Sequence, residues 1–300
     1  MDDLLTLSVS LSSCKLIPKT MSRSNPPFVD FLILGAGWTS IFLIPQLKFN
    51  AVTHAATTTT GRDGTIPFKF EPDSTDTTPF KRLPSAKTVL ITFPLTGAGQ
   101  SKRITDLYRN VHGDENRWIQ LGSTEIFNQR DNWNDDSSPY DASNSRAIAE
   151  DELRNCVDGC VLNLAGLYGG NRVPRKWFSR IAKTKEDIKA KKAVHFVHGE
   201  DVARAIIAVH KKYTPGKRWI IADLRVYDWW DLIQTWGGEA GNGEEQETME
   251  NADYVKWVGE LMVEEELKAL PRPPEILGRK LDSRWFWTHM EVWPRQGRLV

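Results

Sequence analysis

Apolar positions along the chain fall into short runs separated by polar, helix-forming stretches. Val29 to Leu34 reads V-D-F-L-I-L, the mostly apolar run that a strand buried on both faces needs. Gly35-Ala36-Gly37 ends it, and Trp38 to Leu47 reads as an apolar helix whose regularity Pro45 breaks. Ala51 to Thr60 carries four consecutive threonines, and this β-prone residue predicts a second strand ending near Thr60. Ile66 to Phe70 predicts a third strand and Thr88 to Phe93 a clearer fourth, followed by a polar helix over Gln100 to Val111. Trp118 to Leu121 is the next strand and runs into Gly122-Ser123-Thr124.

The stretch Asn128 to Ser145 is rich in Asp, Asn and Ser and reads as a loop. Asn144 or Ser145 is placed to cap a helix through Arg154, with Ala147, Ile148 and Leu153 inward. Cys160 to Ala165 is another buried strand, Trp177 to Lys191 a basic helix, and Glu200 to His210 a helix with Val202, Ala203, Ile206 and Ile207 on one face. Gly237 to Asn251 is Gly- and Glu-rich and predicts a mobile loop. Residues 1–27 read as a disordered tail, with Met21 an alternative start. Strands alternating with helices predict an α/β fold: a doubly wound parallel sheet with right-handed crossovers. Residues 28–300 are expected to form one domain, with about 167–300 contributing a small, mainly helical substrate-side lobe.

Charge narrows the possible partners. Lys plus Arg and Asp plus Glu are 39 each, a balance that argues against a nucleic-acid or anionic-membrane surface as partner. No apolar run approaches the ~18 residues a membrane span needs. The three cysteines, Cys14, Cys156 and Cys160, form no framework and fit a reducing, cytoplasmic setting. Cys156 and Cys160 lack the companions a zinc site requires, so no metal is expected and Cys160 reads as strand core. A small-molecule partner and a monomer or homodimer are the expectations that remain.

A strand followed by Gly-x-Gly and a helix has a direct chemical use. Gly35 permits the tight turn, Gly37 lets backbone approach a pyrophosphate, and the helix from Trp38 aims its unpaired N–H groups at that charge. The third glycine position of the dinucleotide motif is Ser40, small enough for close packing. After the second strand come Thr60 and Arg62, where hydroxyls and an arginine suit a 2′-phosphate better than a ribose 2′-hydroxyl. The cofactor expected is therefore NADP, with NAD as the alternative.

The order of motifs resembles the extended or atypical short-chain dehydrogenase/reductases, the NAD(P)-dependent epimerase/dehydratase superfamily. F-L-I-L-G-A-G-W-T-S looks like their glycine motif, Gly122-Ser123-Thr124-Glu125-Ile126-Phe127 like their serine segment, and Leu164-Ala165-Gly166-Leu167-Tyr168-Gly169 like the segment beside the nicotinamide. Val197-His198-Gly199-Glu200-Asp201-Val202-Ala203-Arg204-Ala205 is similar to their recurrent helix start. The resemblance covers Phe28 to the C-terminus and implies a Rossmann-type fold. It implies cofactor contacts from Gly35, Gly37, Trp38, Thr39, Thr60, Arg62, Phe93, Pro94, Leu164 and Gly166. It also implies that Ser123 polarises a substrate oxygen.

One departure bears on activity. Members active as oxidoreductases carry Tyr-x-x-x-Lys on the helix after the serine segment, the tyrosine serving as general acid or base. Here Arg146 stands where the lysine belongs and Ala142 where the tyrosine belongs, with Tyr140 two residues early. An arginine does not titrate in the working range, so Arg146 is expected to hold ribose or supply fixed charge. Tyr140 is either a displaced proton relay or a loop anchor. Two functions follow: an NADP-dependent oxidoreductase or epimerase-like enzyme using Ser123, Tyr140 and Arg146, or a non-catalytic NAD(P)-binding sensor or scaffold. A methyltransferase using the same glycine turn leaves the Ser123 and His198 segments unexplained. His198 is expected to hydrogen-bond backbone and Asp201 to cap or pack its helix. Trp177, Trp229, Trp230, Trp285 and Trp287 offer either an apolar pocket or, more commonly for large aromatics, packing.

Overall fold

The computed structural model describes residues 28–130, 132–239, 249–297 and 299; the expected tail over residues 1–27 lies outside them. The chain opens with β1 (Phe28–Leu34), α1 (Trp38–Phe49), β2 (His54–Thr58) and β3 (Ile66–Pro67), followed by β4 (Ser85–Ile91), α2 (Gln100–His112) and β5 (Arg117–Ser123). After β6 (Trp133–Asn134) come α3 (Ser145–Val157), β7 (Cys160–Leu164) and β8 (Gly166–Tyr168). The remainder holds α4 (Phe178–Ile181), α5 (Lys185–Ala190), β9 (Ala193–Val194), β10 (Phe196–His198), α6 (Gly199–Lys211) and β11 (Arg218–Ile221). It ends with β12 (Tyr227–Asp228), α7 (Trp229–Glu239), α8 (Met249–Glu264), β13 (Lys280–Leu281) and α9 (Arg284–Met290).

Seven strands form one sheet in the order β3-β2-β1-β4-β5-β7-β11, and every pairing in it is parallel. This is the doubly wound Rossmann-type sheet the alternation predicts. The strand order reverses between β1 and β4, and in such sheets the crevice beyond the carboxyl ends at that point is where ligands bind. Side-chain alternation splits β1 between two cores: Phe31 and Ile33 face the layer of α1 and α6, Leu32 and Leu34 that of α2 and α3. A third cluster joins Tyr168 and Phe196 to Trp230 and Trp236 of α7 and Val258 and Leu261 of α8.

Several local expectations shift. The helix runs through Pro45 to Phe49, with Leu43 and Leu47 on either side of the proline buried against the sheet. The third strand shrinks to Ile66–Pro67 at the sheet edge, where a proline's missing N–H costs no ladder bond. The basic segment is two short helices, because Thr184 forms a capping box with Asp187 and starts α5 afresh. Of the expected loop Gly237 to Asn251, residues 237–239 close α7 and 249–251 open α8; residues 240–248 lie outside the described ones.

The indoles fill space. Trp118, Trp219, Trp230, Trp236 and Trp287 are all under 2% exposed, each burial contributing roughly 4–6 kcal/mol of gross hydrophobic stabilisation. Trp177 and Trp229 pack on the third cluster, and Trp285 is exposed. Asn144 caps α3 by accepting from Arg146 N at 2.9 Å. His198 caps α6, its Nδ1 accepting from Glu200 N at 3.2 Å. Buried Asp201 accepts from the backbone N–H groups of Arg295 and Gln296 at 2.8 and 3.1 Å, holding the C-terminal segment on α6.

Candidate functional site

The glycine turn after β1 is held from both neighbouring strands. Thr57 of β2 accepts from Gly35 N through its hydroxyl at 2.9 Å, and its carbonyl accepts from Ala36 N. On the other side Thr92, just past β4, donates its hydroxyl to Gly35 O. Gly35 sits at φ +94, and a Cβ there would lie 2.7 Å from Thr92 Oγ1, so the position requires glycine on two counts. Gly37 differs: nothing lies within 4 Å of where its Cβ would be. It precedes α1 with no side-chain cap, and the first turn of α1 holds no acidic residue. The unpaired donors of that helix end therefore face open space with their positive dipole uncompensated.

That space is a cleft of about 380 Å³ lined by Gly37, Trp38, Thr39, Thr92, Pro94, Leu121, Gly122, Ser123, Arg146, Leu164, Ala165, Leu167 and Arg172. The lining comes from α1 and from segments at the carboxyl ends of β4, β5 and β7, at the switch point. Among the described residues, two arginines and no carboxylate line it. Of the residues expected from sequence, the structure brings Gly37, Trp38, Thr39, Pro94, Ser123, Arg146 and Leu164 together here. Gly35 and Phe93 stand behind the turn, Phe93 beside the glycine and stacked on Phe70 at 6.3 Å. Thr60 and Arg62 lie apart and exposed beyond β2, with Arg62 3.7 Å from Asp63. Gly166 packs instead against His195 O and Phe196, which leave no room for a side chain.

Ser123 and Arg146 form the polar floor. The Ser123 hydroxyl accepts from Glu125 N at 3.2 Å, which leaves its own proton to donate. Beneath it, Glu150 Oε1 accepts from Ser123 N at 3.1 Å and Asn163 Nδ2 donates to Ser123 O at 2.9 Å. A Cβ on Gly122 would lie 2.5 Å from Glu150 Oε1, so the buried carboxylate excludes any larger residue there. Arg146 donates from Nη2 to Leu121 O at 3.0 Å, and its buried Nε has no partner.

Tyr140 is held elsewhere. Its hydroxyl donates to the Asp151 carboxylate at 2.9 Å, its ring lies 4.4 Å from the Arg218 guanidinium, and it packs edge-on to Phe127. It is not among the cleft's lining residues, because α3 turns Asp151 and Arg146 to different sides and the tyrosine follows Asp151. Sequence reasoning missed Arg172, Thr92 and Thr57. The Gly169-Gly170 pair before Arg172 signals a tight turn, but which element the turn meets is not a local property.

No family model matches this chain, and no curated protein matches it. Solved structures match along nearly its whole length. A vestitone reductase from alfalfa (Medicago sativa L.) is 16% identical, over 90% of this chain and 94% of that one, with a TM-score of 0.61. A dTDP-glucose 4,6-dehydratase from Bacillus anthracis str. Ames, in complex with NAD, is 11% identical over 89% and 92%, with a TM-score of 0.58. A functionally unknown conserved protein from Silicibacter pomeroyi DSS is 16% identical over 91% and 95%, with a TM-score of 0.59. At these identities the likeness shows the fold, a Rossmann-type α/β sheet flanked by helices.

Proposed function

We propose that this chain is an NAD(P)-binding protein of oxidoreductase type whose reaction-site polar groups are reduced to Ser123 and Arg146, with no side-chain acid or base. The observation that carries the reading is the charge of the cleft. An uncapped helix N-terminus and two arginines meet with no lining carboxylate, a surface built for a polyanion such as a pyrophosphate. The residues present fit that group: Gly37 leaves room for close approach, and Arg146 and Arg172 line the same cleft. Gly37, Trp38 and Thr39 hold the pyrophosphate, Leu164 and Pro94 flank the ring end, and Thr60 and Arg62 receive the adenosine end. Arg62 favours NADP over NAD, since a guanidinium pairs with a 2′-phosphate.

A bound nicotinamide supplies hydride transfer. The chain's own part is to orient a small hydroxyl- or carbonyl-bearing ligand. Ser123 donates a hydrogen bond to that oxygen, and Arg146 places a fixed positive charge beside it. No lining side chain titrates between pH 4 and 9 by its ordinary chemistry, so any proton is exchanged with water. That absence favours a second reading, binding without turnover, in which the chain senses or carries the dinucleotide.

Titration with NADPH and NADH, followed by tryptophan quenching and energy transfer to the nicotinamide, tests the first claim. Saturable binding with NADPH preferred supports it; folded protein that binds neither removes it. Turnover of carbonyl substrates that falls in Ser123→Ala then separates the enzyme from the sensor.

A further inference from the structure

Arg172 lines the cleft, yet neither the glycine motif nor the serine segment accounts for it. It ends a tight hairpin, Gly169 to Arg172, closed by Gly169 N to Arg172 O at 2.9 Å and Arg172 N to Gly169 O at 3.1 Å. Gly169 sits at φ +108 with the His198 ring against its α-carbon, so no other residue fits there. The hairpin is tied to α1 by Trp38, whose indole N–H donates to Gly169 O at 3.1 Å. The Arg172 guanidinium lies over the Trp38 ring, 4.5 Å from its centroid. Trp38 in turn meets Phe42 edge-on, and Phe42 meets His198, so the hairpin, α1 and the start of α6 share one aromatic seam.

This geometry leaves the guanidinium one useful direction. A guanidinium stacked on an indole uses its flat face and leaves the in-plane N–H donors free. Arg172 has no carboxylate partner among the described residues, and it lines the cleft that Gly37 and Trp38 open. A planar fork of donors beside an uncompensated helix N-terminus matches phosphate oxygens, which accept two parallel hydrogen bonds from one arginine.

We propose that Arg172 and Trp38 form a clasp that grips the pyrophosphate of the dinucleotide beside the glycine turn, an inference that rests on the NAD(P)-binding reading. Trp38 has two tasks in it. Its backbone begins the helix that faces the phosphates, and its indole aims the arginine at the same charge.

The test is calorimetric titration of the full chain with NADPH and with ADP-ribose, which carries the pyrophosphate but no nicotinamide. Arg172→Ala weakens both ligands by the same factor, about tenfold or more. Arg172→Lys, which keeps the charge but not the planar fork, recovers only a small part, and Trp38→Phe shifts both ligands in the same direction by less. Arg172 is exposed, so the melting temperature of Arg172→Ala stays near that of wild type, which separates lost binding from lost fold. Wild-type binding with no change in Arg172→Ala overturns the clasp and leaves the NAD(P) reading standing. Loss of NADPH affinity alone, with ADP-ribose unchanged, assigns Arg172 to the nicotinamide end and also overturns it, as does full recovery by lysine. Wild-type protein that binds neither ligand removes the NAD(P) reading and the clasp with it.

Discussion

Arg218 of the edge strand β11 donates to the carboxylate of Glu150 on α3, and both side chains are buried beneath Ser123. Asn163 completes the unit, donating to Glu150 Oε2 at 2.8 Å and accepting from Arg218 at 3.0 Å. The second arginine branch reaches Asp151 at 2.8 Å, the same carboxylate that holds Tyr140 and Arg154. Paired ions in a low-dielectric interior are stable only while every member is present.

Arg218→Met therefore leaves the Glu150 charge buried without its cation and costs about 3–5 kcal/mol. The double variant Arg218→Met, Glu150→Gln costs less than Arg218→Met alone, because the uncompensated charge is gone. Urea unfolding followed by tryptophan fluorescence measures both. A single variant within about 1 kcal/mol of wild type rules out the buried pair.

The two glycines of the first turn respond differently to the same change. Gly35→Ala forces a side chain into φ +94 and toward Thr92, and loses roughly 2–3 kcal/mol of stability. Gly37→Ala meets open space and keeps the fold within about 1 kcal/mol, yet loses NADPH affinity by tenfold or more (about 1.4 kcal/mol) because the methyl stands where the phosphate approaches. Thermal melts paired with NADPH titration check this. Equal affinity for Gly37→Ala and wild type contradicts the placement.

Tyr140→Phe tests whether the tyrosine works or anchors. Its hydroxyl is bonded to Asp151, so the variant loses about 1–2 kcal/mol of stability and leaves NADPH affinity and any carbonyl turnover unchanged. A turnover loss of a hundredfold, the scale of general acid catalysis, would instead return the tyrosine to the chemistry.

Acid weakens the fold through His195. The ring is buried, Nε2 accepts from Leu281 N at 3.1 Å and Nδ1 has no partner. Burial, with help from Arg279 and Lys280, pushes its pKa down to about 3 from the usual 6.5. Between those values the unfolded chain binds the extra proton, so stability is complete above about pH 6.5 and falls as pH drops, by up to ~1.4 kcal/mol per unit. Asp223 opposes this. Burial raises it to about 6 from 3.8, so its contribution is complete below pH 3.8 and lost as pH rises through 6. Comparing wild type with His195→Gln cancels the aspartate: the stability gap between them narrows by roughly 2 kcal/mol from pH 7 to pH 5. A gap independent of pH refutes the assignment.

Alternating strand and helix, the turn at Gly35 and Gly37, and the caps at Asn144 and His198 were legible because each depends on neighbours within a few residues. Strand runs followed from apolar continuity, and the caps from a polar side chain meeting the first turn of a helix. The cleft's chemistry is not local in that way. The Trp38 indole ties the hairpin that carries Arg172 to α1 by donating to Gly169 O across 131 positions, and Arg218 reaches Glu150 across 68. The basic run that reads as one helix is two, with Lys185 and Lys189 paired to Glu260 and Glu264 on α8 and to Glu265 just past it. Tyr140, open in sequence to either role, lies against Asp151 because α3 turns that carboxylate away from Arg146. The sequence by itself determined most of the strands and helices and where the turn at Gly35 and Gly37 lies. The parallel strand order decided which charges meet, since it brings together residues that no short-range pattern connects.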